Sequence, residues 1–314
     1  MCQLNIYKKM DIKMEKVFDI QVNGHLGIGF DDAELTKDQI HKITEALQKP
    51  GEYHYLATII TSDWNLILKN ASLIAEAVEE APSKGLLQGI HLEGPFISPE
   101  PGAVGAHDPQ YVIPPSVDKI KELMNASKGL LKLVTIAPEV EGAIEFVKKV
   151  KELYPKLVIS LGHHLGNADD IKKSIKAGVS MATHLGNGIP NEINRHFNPI
   201  WPQLASDEMT TCIITDGTHL PEDLITTVLK AKGIDKVIVV SDCSSVAGLP
   251  AGTHQGLGQT LVIHEDGSVR GESGTLAGSA LNLYECVKFL QNSKLATDGE
   301  IKQMVWDNPK ELFA

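Results

Sequence analysis

Arginine is almost missing from this chain: Arg195 and Arg270 stand alone against 27 lysines, so the position of each carries information. Cysteine is scarce as well. Cys2, Cys212, Cys243 and Cys286 form neither a C-x-x-C pair nor a dense framework, which excludes a disulfide-built scaffold and predicts a reduced, cytoplasmic setting. No apolar run approaches the ~20 residues of a membrane span. The opening MCQLNIYKKMDIKMEK is mixed and charged, without the apolar stretch of a secretory signal, so no membrane partner is expected. Positive charge is in deficit too: a net charge of −11 argues against a nucleic-acid partner, which needs a basic face to displace counterions. Repeats, low-complexity segments and long linkers are absent, so no second large domain is expected.

What the chain does contain is a regular alternation of apolar, β-branched runs with helical periodicity. The pattern predicts strands over 17–23, 55–61, 86–93, 131–138, 157–163, 180–185, 211–216 and 236–242. Helices are expected over 36–48, 63–80, 116–126, 142–153, 168–177 and 221–232, with Pro221 in the first turn of the last and Gly178 and Gly233 as C-terminal stops. Eight such units predict an α/β fold of the (β/α)8 TIM-barrel kind over residues 17–314, after an N-terminal tail of 1–16. A doubly wound open sheet is the competing architecture, but it concentrates its site at one switch point, whereas here most strands end in polar residues. The Asp-Gly pair in LVIHEDGSVR predicts a β-hairpin excursion after strand eight, and helices over 279–291 and 298–306 close the chain.

Chemistry collects at the strand ends. His91, His107, His163, His164, His184 and His219 gather at or just beyond them, with Glu93 and Asp242. Glu93, His163 and His184, on strands three, five and six, are candidate ligands for one divalent ion, zinc or ferrous iron, and three protein ligands leave a position for water. The bland alternative is three satisfied polar residues at a barrel mouth. Adjacent residues on a strand point to opposite faces, so only one of His163 and His164 can enter the mouth. Asp242 is a candidate general acid–base, or else a loop cap. His107 could polarise a carbonyl oxygen or be an ordinary loop histidine. Arg195, in the loop after strand six, could capture an anionic group or sit on the surface. GTLAGSA (274–280) could offer backbone N–H groups at a helix start.

The motifs QVNG (21–24), HLEGPF (91–96), GAH (105–107), GHH (162–164), THLGNG (183–188), DGTH (216–219), SD (241–242) and GTLAGS (274–279) occur in a telling order. Over residues 17–284 the chain resembles the N-acetylglucosamine-6-phosphate deacetylases of the amidohydrolase superfamily. The resemblance implies that Glu93, His163 and His184 bind the metal, that Asp242 is the acid–base, and that His107 polarises the acetamide carbonyl. It assigns Asn187, Arg195 and His219 to the sugar phosphate, with Gly188, Leu276, Gln21 and Asn23 completing the substrate-binding set. The arginine is typically lent across a homodimer, so a homodimer is expected.

The departures qualify that picture. Gln21 and Asn23 stand where many amidohydrolases have H-x-H, and amides bind zinc poorly, so a single metal ion is expected; His25, two residues on, is unassigned. The loop THLGNGIPNEINRHFNP keeps the family's arginine spacing but little else. The small β-sandwich that the family builds from both termini is expected to be absent or reduced, in either a stripped-down branch or an incomplete chain. Two rivals follow: an amidohydrolase cleaving a different N-acyl or cyclic amide, and a non-catalytic sugar-phosphate-binding relative.

Overall fold

The computed structural model describes residues 14–314. The predicted N-terminal tail therefore lies almost wholly outside the described residues, as does Cys2. Eight parallel strands form one sheet in sequence order: β1 (Lys16–Val22), β2 (Glu52–Ile60), β3 (Leu87–Glu93), β4 (Leu131–Ile136), β5 (Val158–Leu161), β6 (Met181–Ala182), β7 (Thr210–Ile214) and β8 (Val237–Val240). The sheet curls until β1 and β8 nearly meet. Asn23 donates its backbone N–H to Cys243 O at 2.9 Å, and Val22 bridges Cys243. Lower down, the buried Asp19 carboxylate accepts from the backbone N–H and hydroxyl of Ser241. This is the (β/α)8 barrel; the open sheet is ruled out.

Side-chain alternation divides the barrel interior into layers. At the bottom Phe18, Ile20, Leu56, Leu133, Val158, Met181, Cys212, Ile214, Ile238 and Val240 make an apolar plug, capped from outside by Trp306, Leu312 and Phe313. Above it lies a hydroxyl belt. His91 Nε2 bonds Thr135 Oγ1 at 2.8 Å, Thr135 bonds Thr183 at 2.8 Å, and Thr183 bonds Ser160 at 2.6 Å. His91 thus belongs to this buried belt, two residues below the mouth, and not to the rim where sequence grouped it.

Helices α1 (Lys37–Leu47), α2 (Trp64–Ala77), α3 (Val117–Ala126), α4 (Ala143–Leu153), α5 (Ala168–Ala177), α6 (Ile200–Leu204) and α7 (Glu222–Lys232) follow strands β1 to β7 one by one. Their starts are set by side-chain caps: Thr36 and Asn167 form capping boxes with Gln39 and Asp170, and Asp63 accepts from two first-turn N–H groups. Helix α2 stops three residues short of the predicted Glu80 because Glu79 and Glu80 bond three residues back and tighten the turn. Pro221 is the residue before α7, in extended conformation, and not a first-turn residue. The short α6 went unpredicted.

The predicted hairpin is one half of a four-stranded antiparallel sheet: β9 (Gly252–Gly256), β10 (Gln259–Ile263), β11 (Ser268–Arg270) and β12 (Leu276–Ser279). Its own small core holds Val246, Leu261, Ile263, Val269 and Ala277. GTLAGSA is therefore strand and not a helix start; the next helix, α8 (Leu283–Ser293), begins after the Asn282 cap. Among the described residues, no helix is long and apolar enough to cross a membrane, and Cys212, Cys243 and Cys286 are free thiols.

Candidate active site

The chemistry-bearing side chains stand at, or two residues past, the C-terminal ends of the strands. Glu93 closes β3; His163, His184 and Asp242 follow β5, β6 and β8. All three of the latter have positive φ, at 52°, 28° and 50°. The left-handed turn swings each side chain over the barrel axis after the strand has ended. That also decides between the paired histidines. His163 enters the mouth, while His164 turns away, is buried, and has its pKa pushed down to about 4 by burial. Because β5 ends at Leu161, backbone φ sets this choice rather than strand alternation.

Three ligand atoms converge. Glu93 Oε1 lies 2.9 Å from His184 Nε2 and 3.4 Å from His163 Nε2, and the two nitrogens are 3.1 Å apart. A tetrahedral ion with bonds of about 2.0–2.1 Å sets its ligand atoms roughly 3.3 Å apart, so the spacing fits a shared divalent cation. The electrostatics agree. Burial drives the Glu93 carboxyl up, yet the His163 and His184 imidazoles beside it hold it well below its usual range. Burial likewise lowers His184, and the same Glu93 contact raises it. The cluster calls for positive charge at its centre. His163 is fixed by Nδ1 donating to Ala103 O at 2.8 Å, which leaves the Nε2 lone pair facing Glu93. Its ring is cradled by Gly105 and Gly188, where a Cβ would come to 3.0 Å; Gly188 has φ +62°.

His107 Nε2 lies 3.3 Å from His163 Nε2, and Glu93, His107 and His163 also bring ligand atoms within 4.8 Å of one another. His107 differs from the others in its proton. The backbone N–H of Thr61 donates to Nδ1 at 3.4 Å, with the Thr61 hydroxyl 2.8 Å away, so the ring proton sits on Nε2. Burial lowers its pKa to about 3, keeping it a neutral donor.

Asp242 is raised to about 6 by burial and by the Glu93 charge. Its Oδ1 accepts from Asn23 Nδ2 at 2.7 Å and Gln21 Nε2 at 3.0 Å, and the same Gln21 nitrogen donates to Glu93 Oε1 at 2.9 Å. One amide thus bridges the two carboxylates, and both its hydrogens are spent. Gln21, expected among the substrate-binding residues, is fully buried outside the cavity wall and holds the two carboxylates together. Asn23 does line the cavity, with its Oδ1 unpartnered.

The cavity above these groups measures about 390 Å³ and is also walled by Asn187, Gly188, His219 and Leu276, the predicted substrate-binding positions. Asn187 Nδ2 is a buried donor without a partner. His219 Nδ1 is 2.8 Å from Asp216 Oδ2, leaving Nε2 for the cavity. Burial opposes ionisation of Asp216, but its bonds with His219 hold it well below the carboxylate range. Arg195 is the exception: it is exposed and outside this chain's cavity. His25 is buried, lowered to about 4 by desolvation, and is not in the cavity wall.

No protein-family model matches the chain. Individual proteins do. It is 31% identical over 278 residues to the N-acetylglucosamine-6-phosphate deacetylase of Bacillus subtilis (strain 168), covering 88% of this chain and 68% of that one. The chain belongs to the N-acetylglucosamine-6-phosphate deacetylase family. A second relative, the N-acetylgalactosamine-6-phosphate deacetylase of Shewanella sp. (strain ANA-3), is 30% identical over 300 residues, or 94% of this chain and 72% of the other. The solved N-acetylglucosamine-6-phosphate deacetylase of Pasteurella multocida superposes with a TM-score of 0.84 at 27% identity, over 95% of this chain and 76% of that one.

Membership makes the chain a hydrolase of an N-acetyl amide in amino-sugar metabolism. In this deacetylase, sequence reasoning missed Arg270, which lines the cavity with Gly274 and Thr275. The signal was present in the rarity of arginine and in the alternation of LVIHEDGSVR, which sends Val269 and Arg270 to opposite faces.

Proposed function

We propose that the protein hydrolyses N-acetylglucosamine 6-phosphate to glucosamine 6-phosphate and acetate, with one divalent ion, zinc or ferrous iron, held by Glu93, His163 and His184. The observation that carries this reading is the 2.9–3.4 Å convergence of those three ligand atoms beside a braced Asp242. A divalent ion held there supplies Lewis-acid polarisation and a water acidic enough to ionise near neutral pH.

The chain's own groups then have distinct tasks. With Oδ1 held by two amides, Asp242 takes the proton of the attacking water on Oδ2 and returns it to the amine nitrogen as the C–N bond breaks. His107 donates from Nε2 to the acetamide oxygen as it gains negative charge. Asn187 and His219 offer donors to the sugar phosphate. Arg195 fits a group lent to a second copy in a homodimer; Phe197, 85% exposed two residues away, supplies apolar surface for that contact. A cytoplasmic setting agrees with three free cysteines.

Acetate release from N-acetylglucosamine 6-phosphate by metal-loaded protein tests the reading, with about one metal equivalent per chain. Saturable binding without acetate release refutes it. The Shewanella relative favours a second reading, the 4-epimeric N-acetylgalactosamine 6-phosphate, which the ratio of kcat/KM for the two sugars decides.

A further inference from the structure

The second arginine carries an inference of its own. Arg270 ends β11, where alternation buries Val269 in the small core and leaves Arg270 on the cavity side. It pairs across the hairpin with Leu276, another cavity residue. Its Nη1 donates to Gly274 O at 2.7 Å, which ties the guanidinium to a turn that is itself cavity wall. Four of its five N–H donors remain available. In a chain with 40 acidic residues, no carboxylate among the described residues pairs with it, and it is the one Lys or Arg that lines the cavity. The floor of that cavity holds Glu93 and Asp242, so an anionic ligand needs a compensating charge elsewhere in the wall. Arg195 does not provide one from within the same chain.

We propose that Arg270 grips the phosphate of the substrate in its own subunit and sets the preference for phosphorylated sugars. This rests on the deacetylase reading above. The guanidinium fork suits phosphate oxygens, and its tether to Gly274 O lowers the ordering cost of binding.

The test compares wild type with Arg270→Gln, Arg270→Lys and Arg195→Ala. Steady-state kinetics are measured on N-acetylglucosamine 6-phosphate and on N-acetylglucosamine, and inorganic phosphate binding is measured by calorimetry. Arg270→Gln is expected to raise KM for the phosphorylated sugar roughly 10-fold or more, as for a lost charge-assisted hydrogen bond. It should weaken phosphate binding by a similar factor, with Arg270→Lys recovering part of each. Equal losses on both sugars would mean that Arg270 only pins the turn, and would overturn the proposal. So would unchanged KM and phosphate affinity in Arg270→Gln, including the case where Arg195→Ala alone removes the preference. If wild type releases no acetate from either sugar, the deacetylase reading fails while the phosphate titration still decides the role of Arg270.

Discussion

Replacing Gln21 by Met tests how the two carboxylates are made to coexist. The change keeps the length of the side chain and removes both donors. One hydrogen bond to Glu93 Oε1 and one to Asp242 Oδ1 disappear, while Asn23 still holds Asp242 at 2.7 Å. A hydrogen bond to a charged group is worth about 1.5–3 kcal/mol, and about 1.4 kcal/mol moves a pKa by one unit, so Asp242 should rise by roughly 1–2 units. Starting from about 6, its ionised fraction at pH 7 falls from about nine-tenths to between a tenth and a half. The base works ionised, so the acidic limb of kcat/KM moves to higher pH; activity is lost near pH 6 and recovered toward pH 8.5. A cation at the neighbouring ligands lowers both proteins' limbs alike, so the difference between them is the observable. The assay is kcat/KM from pH 5.5 to 9 with metal content measured in parallel. An unmoved acidic limb with wild-type activity at pH 6 would refute the bracing argument.

Asp242→Asn should retain metal and lose roughly 10²–10⁴-fold in kcat; near-normal turnover removes it from the chemistry, and metal loss makes it a ligand. His184→Ala should lose metal and activity together, read by metal analysis; a metal-replete His184→Ala protein would break the three-ligand assignment. Gly188→Ala adds a Cβ 3.0 Å from the His163 ring at a φ of +62°, so metal affinity should fall while the fold persists; unchanged affinity would show that His163 has room to move. His25 is held near 4 by burial. The unfolded chain protonates it from about pH 6.5 downward while the folded chain resists, so its stabilising share is complete above that and drains as pH falls toward 4. Between pH 7 and 5 wild type should lose about 2 kcal/mol more stability than His25→Gln in urea titrations; parallel losses would contradict it.

The barrel was legible because β-branched apolar runs of strand length alternate with capped helices, and because polar residues stop those runs. Glu93, His163, His184 and Asp242 were visible as the residues at the stops. How they converge was not, since that depends on positive φ at three positions, and the tolerance of His and Asp for that region does not say where it is used. Gln21 was read as a poor metal ligand and a substrate contact, whereas its amide holds Asp242, 221 residues away in sequence, which no local pattern announces. The four-stranded sheet was half seen: the Asp-Gly turn announces β10 and β11, but β9 and β12 are glycine-containing segments without apolar alternation. Arg195 was placed by the rarity of arginine, its loop after strand six and the family's spacing, none of which says which copy's cavity it faces.

The left-handed backbone at His163, His184 and Asp242 puts thermostability in conflict with turnover. For a residue with a Cβ that conformation costs roughly 1–2 kcal/mol, which glycine avoids and asparagine reduces. Selection for heat resistance alone should therefore enrich Gly or Asn at 163, 184 and 242, yielding sturdier and inert barrels. Engineering for robustness has to hold those three positions fixed and seek its gains at the plug, the caps and the outer helices.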